Sequence, residues 1–175
     1  MHHLESNRLR LIPLNTQQLQ LHASDYEALQ RSLKHTPRPM LMEEYFKNEF
    51  DDALINYWLP ETAANASNYK WFTNWLIVHK QDNCVAGGIG VAGLPNDQGE
   101  TEIGYGLDQT FRGQGIATEA LECLIHWVFQ HSFAKAVIAH TPIDLQSSQH
   151  VLQRAGFERV SEENGLILWR KMKSN

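Results

Sequence analysis

Glu102-Ile103-Gly104-Tyr105-Gly106-Leu107 runs through Asp108-Gln109-Thr110-Phe111-Arg112-Gly113-Gln114-Gly115 into Ile116-Ala117-Thr118-Glu119-Ala120. The first six residues, with Thr101 before them, have the composition of a strand. The last five open an amphipathic helix, because Ala117, Leu121, Leu124, Ile125 and Val128 recur at helical spacing from Gly115 to about Gln130. A strand that passes through a short loop into a helix places unpaired N–H groups and the positive end of the helix dipole at the loop. That arrangement attracts a phosphate group. Gly113 and Gly115 keep side chains out of the way of such a ligand, and the small Ala117 keeps the first turn open. Arg112 offers a direct charge contact. Neither GxGxxG nor GxxxxGK[ST] occurs within this strand–loop–helix stretch, so the loop is not that of a dinucleotide fold or a P-loop.

Working outward, Ala136-Val137-Ile138-Ala139 reads as a short buried strand and Ser147 to Ala155 as a helix ended by Gly156. Phe157 to Val160 and Leu166 to Trp169 form two strands around Asn164-Gly165. On the other side, Trp75 to His79 and Val85 to Val91 flank the turn Gln81-Asp82-Asn83 as a hairpin. The first third is helical. A strand at Leu9 to Leu11 ends at Pro13, and a helix capped by Asn15 or Thr16 continues to about Lys34. His35 to Pro39 is a breaker. A second helix covers Met42 to Trp58 with Pro60 after it, and a third covers Asn68 to Trp75. Trp58, Trp71 and Trp75 read as core residues. With that third helix optional, since Ala63 to Asn68 reads as a loop or as its cap, the order β-α-α-(α)-β-β-β-α-β-α-β-β describes one α/β domain over residues 1–175, with a largely antiparallel sheet.

The chain has 175 residues, 42% of them hydrophobic, which suits one core. A net charge of -5 argues against general nucleic-acid binding and is compatible with an amine partner. No apolar run approaches the roughly 20 residues of a membrane span. The start of the chain carries no signal peptide, and the two cysteines, Cys84 and Cys123, lie far apart as reduced thiols. A cytoplasmic protein without membrane contact is expected. Nine histidines include no HExxH pattern, which leaves no expected metal site.

Arg112-x-x-Gly115-x-Ala117 matches the [QR]-x-x-G-x-[GA] motif of the GNAT N-acetyltransferase superfamily. The flanking residues resemble its branch of ribosomal-protein N-terminal acetyltransferases. So do Arg8-Leu9-Arg10-Leu11 with Pro13-Leu14, and Ser148-x-x-Val151-Leu152-x-x-x-Gly156-Phe157. The resemblance implies a mixed, mostly antiparallel sheet of about seven strands, splayed between the fourth and fifth and flanked by helices. It implies acetyl-CoA as co-substrate and an amine acceptor, either a protein N-terminus or a small molecule. A homodimer is left open.

The resemblance also implies roles. Backbone groups of Tyr105, Gly106 and Leu107 would hold the pantetheine arm between Thr101–Leu107 and Lys135–His140. Arg112, Gly113 and the N–H groups of Gln114, Gly115, Ile116, Ala117 and Thr118 would hold the pyrophosphate. An N–H near Leu107 would serve the oxyanion, Glu102 would be the base and Ser148 the acid. His140, at the end of the splayed strand, is a second candidate base or an ordinary strand-end histidine. The helices from Met40 to Trp75 would shape the acceptor pocket, where Glu43, Glu44, Asp51 and Asp52 form an acidic run. Two positions depart from the family pattern. Leu145 replaces a cofactor-contacting asparagine, with Asp144 or Gln146 beside it as substitutes. Leu152 stands where many relatives outside this branch place a tyrosine acid. These departures keep a catalytically weak acyl-CoA-binding module as the alternative.

Overall fold

Eight strands form one sheet in the order β1-β2-β3-β4-β5-β6-β8-β7 in the computed structural model, which describes residues 3–174. Residues 1, 2 and 175 of the expected 1–175 domain lie outside the described residues. The strands are β1 Leu4–Glu5, β2 Leu9–Pro13, β3 Trp75–His79, β4 Cys84–Val91, β5 Glu100–Leu107, β6 Ala136–Pro142, β7 Glu158–Glu163 and β8 Leu166–Met172. The expected seven are all present, and the two-residue β1, antiparallel to β2, is the addition. Every pairing is antiparallel except β5 with β6.

The β3 run Trp75-Leu76-Ile77-Val78 is apolar at every position because both of its faces are covered. Trp75 and Ile77 join a core containing α5 (Ile116–Phe129), while Leu76 and Val78 join a second core with Leu19 and Leu29. A period of two thus distributes one strand between two cores. Helix α5 contributes Ile116, Ala117, Ala120, Leu121, Leu124, Ile125, Trp127 and Val128 to the first, all buried. Leu152 of α6 (Gln146–Arg154) is fully buried in the same core.

The helical third differs from the sequence reading in three places. The helix expected from Asn15 to Lys34 is two helices, α1 (Thr16–Ser24) and α2 (Tyr26–Ser32). Asp25 adopts an extended backbone (φ -154°, ψ 91°) between them, and its carboxylate accepts from the Ala28 N–H at 2.8 Å. Local capping by aspartate outcompetes helix continuation. The second helix does not stop before Pro60. Helix α3 (Glu44–Ala53) widens into a π-turn at Leu54–Trp58 and continues as α4 (Leu59–Ala64), with the proline in its first turn. The wide turn, with Leu59 N–H bonded to Leu54 C=O, accommodates a ring that would clash inside a regular α-helix. The third expected helix, Asn68 to Trp75, shrinks to one 3₁₀ turn, Tyr69–Trp71. Residues beyond it are drawn into the sheet, where Trp75 pairs with Pro13.

The feature that shapes the molecule is the gap between β5 and β6. Their parallel pairing holds for Glu100↔Ala136, Thr101↔Val137 and Glu102↔Ile138, and β5 continues to Leu107 without β6 beside it. Beyond Glu102 the two strands diverge as a V.

Candidate active site

The open end of the V meets the N-terminus of α5. Gly115 is the N-cap residue, with φ +76°, a left-handed conformation that glycine adopts without strain. It provides no side chain to take up the first N–H groups of α5. Helices α1 and α2 are built differently, since Asn15 and Asp25 cap them with side-chain oxygens. The helix end facing the gap is therefore left available to an external acceptor.

Beneath this loop sits Arg8, whose part the sequence did not reveal. Its Nη1 donates to the Gln114 carbonyl at 2.9 Å, and its Nε pairs with Glu119 Oε2 at 2.7 Å. Glu119 also accepts from the Arg8 backbone N–H and the Ser6 hydroxyl. Burial acts to raise the Glu119 pKa, but these three bonds together hold it below the usual carboxylate range. Residues 111 positions apart in the chain thereby fix the height of the loop.

A cleft of about 380 Å³ follows the gap. Tyr105, Gly106 and Leu107 form one wall, and Arg112, Gly113 and Gly115 lie at the mouth. Ile116, Ala117 and Thr118 of α5 continue the lining. Leu145, Ser147 and Ser148 complete it from the α6 side, with Met42 and Phe46 across the opening. Of the residues expected here, Gln114 and Glu102 are not among the lining. The Gln114 side chain turns back to donate to the Thr110 carbonyl at 2.8 Å. Leu145 lines the cleft, while Asp144 and Gln146 stay outside it. Leu152 belongs to the core. A different tyrosine comes close: the Tyr105 hydroxyl donates to the Ser148 carbonyl at 3.2 Å, and burial pushes its pKa up to about 12.

Arg112 does not stand free. Both of its terminal nitrogens bond to the Glu43 carboxylate, and that contact holds the Glu43 pKa down at about 2. Three members of the acidic run are thus engaged by local partners. Asp51 pairs with Lys47 at 2.5 Å, and Asp52 accepts from Asn56 at 2.6 Å.

The segment before α3 is fastened to the end of β5 by Asp108, whose side chain is fully buried. Asp108 accepts from the Leu41 N–H at 2.7 Å and from Thr110 N–H at 2.8 Å, and Arg38 lies 3.4 Å away. Burial works to raise its pKa, and the Thr110 and Leu41 bonds overcome this to keep it low. This clamp sets where Met42 and Glu43 meet the cleft.

Glu102 sits on the opposite face of the sheet from Tyr105. Strand alternation puts Glu102, Gly104 and Gly106 on one face, where a Cβ on Gly106 would come within 3.0 Å of the Met42 methyl. There Glu102 Oε1 bonds to His140 Nδ1 at 2.7 Å. Among the described residues no three His, Cys, Asp or Glu side chains gather into a metal-sized cluster.

A sheet split into a V, with an uncapped helix end at the mouth of the gap, defines a class of α/β domains built to hold a phosphate-bearing chain between two strands. Residues 8–158 match the Acetyltransferase (GNAT) domain, and the chain belongs to that family. It is 28% identical over 155 residues to the uncharacterized N-acetyltransferase YjdG of Bacillus subtilis (strain 168), covering 88% of each. Its fold is similar to that of RimL, a ribosomal L7/L12 alpha-N-protein acetyltransferase solved with coenzyme A. The TM-score is 0.64 with 16% identity, over 98% of both chains. It is likewise similar to the microcin C7 self-immunity acetyltransferase MccE, solved with acetyl-CoA and AMP, at a TM-score of 0.60 and 17% identity over 96% and 94%.

Proposed function

We propose that this chain, acting as one domain, transfers the acetyl group of acetyl-CoA to a primary amine by direct attack of the amine on the thioester. The acceptor is a protein N-terminus or a small-molecule amine. The observation that carries the reading is the uncapped N-terminus of α5 at the open end of the β5–β6 gap. In this reading the N–H groups of residues 114–118 hold the pyrophosphate, and the pantetheine arm lies along Tyr105, Gly106 and Leu107. Ser148, half-buried in the cleft wall, supplies the proton for the departing thiolate. Glu102 is the carboxylate on the acceptor side. Free thiols at Cys84 and Cys123 suit a cytoplasmic setting.

Two measurements test this. Thr118→Glu places a carboxylate in the first turn of α5 without the backbone strain of a substitution at Gly115. Calorimetry should show CoA binding abolished while circular dichroism is unchanged; undiminished affinity refutes the pyrophosphate site. A screen of peptides and small amines for thiol release from acetyl-CoA should find turnover that Ser148→Ala lowers. The second reading, a weak acyl-CoA-binding module, is favoured by the apolar Leu145 in the cleft wall. It predicts binding with no turnover toward any amine.

A further inference from the structure

We propose that the proton of the attacking amine goes to Nε2 of His140, and that Glu102 positions this imidazole rather than acting as the base itself. The inference rests on the acetyl-transfer reading above. Its ground is the 2.7 Å contact between Glu102 Oε1 and His140 Nδ1. An ionised carboxylate only accepts, so the shared proton belongs to Nδ1 and the lone pair is left on Nε2. This bond engages only one carboxylate oxygen of Glu102, so Oε2 and the imidazole Nε2 are both free, and of the two the imidazole nitrogen is intrinsically the stronger base.

The place is suited to the task. Glu102 is the last β5 residue paired with β6, and His140 lies two residues past its partner Ile138, on the arm of the V. A chain entering between the strands from the α5 end and running along β5 points at this apex. Between Gly106 and Glu102 the same sheet face carries only Gly104, where an added Cβ would meet nothing within 4 Å. The row from the cleft to the pair is therefore unobstructed. Both side chains remain partly open, 40% for His140 and 45% for Glu102, so an acceptor can reach them.

On β8 the register partner of His140 is Leu168, with Ser161 of β7 beyond it. The neighbouring row holds Arg170, ion-paired with Glu100 at 2.9 Å, and Glu158 opposite Arg170. In the reaction the amine nitrogen bonds to the acetyl carbon as the carbon–sulfur bond breaks. His140 takes one proton from nitrogen and the thiolate receives one, after which His140 returns its proton to solvent. No net proton is gained or lost.

The test uses the full chain, acetyl-CoA and the best acceptor from a panel of peptides with free N-termini and small amines. His140→Gln should lower kcat by about 10²–10⁴-fold, the usual contribution of a general base. It should leave the CoA Kd within about twofold by calorimetry, a change too small to signal loss of folding. The acidic limb of kcat/KM should vanish in this variant. Glu102→Gln should reduce kcat by a smaller factor, because the amide oxygen can still accept from Nδ1–H and hold the ring in place. Histidine imidazole ¹⁵N spectra of the unliganded protein should show His140 protonated on Nδ1. Full activity with the limb intact in His140→Gln, loss of the limb in Glu102→Gln, or an Nε2–H tautomer each overturns the proposal. Absence of wild-type turnover toward every amine overturns the transfer reading itself, and this one with it.

Discussion

Arg112 lies at the cleft mouth, and its guanidinium is already engaged by Glu43. In the proposed binding mode a phosphate ligand would compete with Glu43 for the same donors, so removing the competitor should help the ligand. An exposed ion pair of this kind is worth about 0.2–1 kcal/mol once solvent screening is counted. Glu43→Gln is accordingly expected to tighten CoA binding by about 1.4- to 5-fold in a calorimetric titration, with the gain shrinking at high salt. At the same scale the limits of the sequence are plain. The glycines of residues 113–115 could be read because loop chemistry is local. The clasp of Arg8 on Gln114 and the bond between His140 and Glu102 join residues 106 and 38 positions apart. Such pairings depend on strand register, which no local pattern encodes.

Among the elements, the buried strands and helix α5 followed their sequence patterns because burial imposes a period on them, whereas the wholly exposed β7 runs on to Glu163, past the Val160 end read from sequence. The first third did not, and Asp25 shows why. A helical hydrophobic period runs through it, yet one side-chain bond to the Ala28 N–H closes α1 and opens α2. Asp25→Ala removes that cap and should cost about 1 kcal/mol, read as a lowered urea midpoint with an unchanged m-value. Asp25→Asn or Asp25→Ser should recover most of the loss. Pro60 teaches the complementary lesson: a residue that ends most helices is tolerated where a π-turn widens the backbone ahead of it.

For the whole molecule, three buried or half-buried groups give the stability a common direction with pH. Asp108 and Glu119 have folded pKa values below their unfolded ones, so the stability they confer is present above the unfolded carboxylate pKa. It is lost as pH falls through the folded values. His22 is held neutral by burial, its pKa lowered from 6.5 to about 4. Between these two values the unfolded chain binds a proton that the folded chain refuses, so stability declines as pH drops from 6.5 toward 4. His22→Phe keeps an aromatic ring beside Tyr26 and Phe50, 4.7 and 5.3 Å away by ring centroid. Urea midpoints measured across pH should lose most of their slope between pH 6.5 and about 5 in this variant, above the range where Glu119 and Asp108 contribute. Asp108→Asn should flatten the more acidic part of the curve. No helix of the described residues is long and apolar enough to cross a membrane.

The V has one more consequence. Where β6 leaves β5, the sheet acquires an edge in its interior, with peptide groups facing a gap instead of a neighbouring strand. Edges of this kind seek a partner. The halves β1–β5 and β6–β8 are joined by only three paired positions, so whatever fills the gap also splices the sheet. Amide hydrogen exchange would read this directly: β5 amides that point away from β4 should exchange quickly in the empty protein and slow sharply when a ligand occupies the gap. In the proposed binding mode the ligand would supply the missing strand, and its concentration would set how tightly the two halves are tied together.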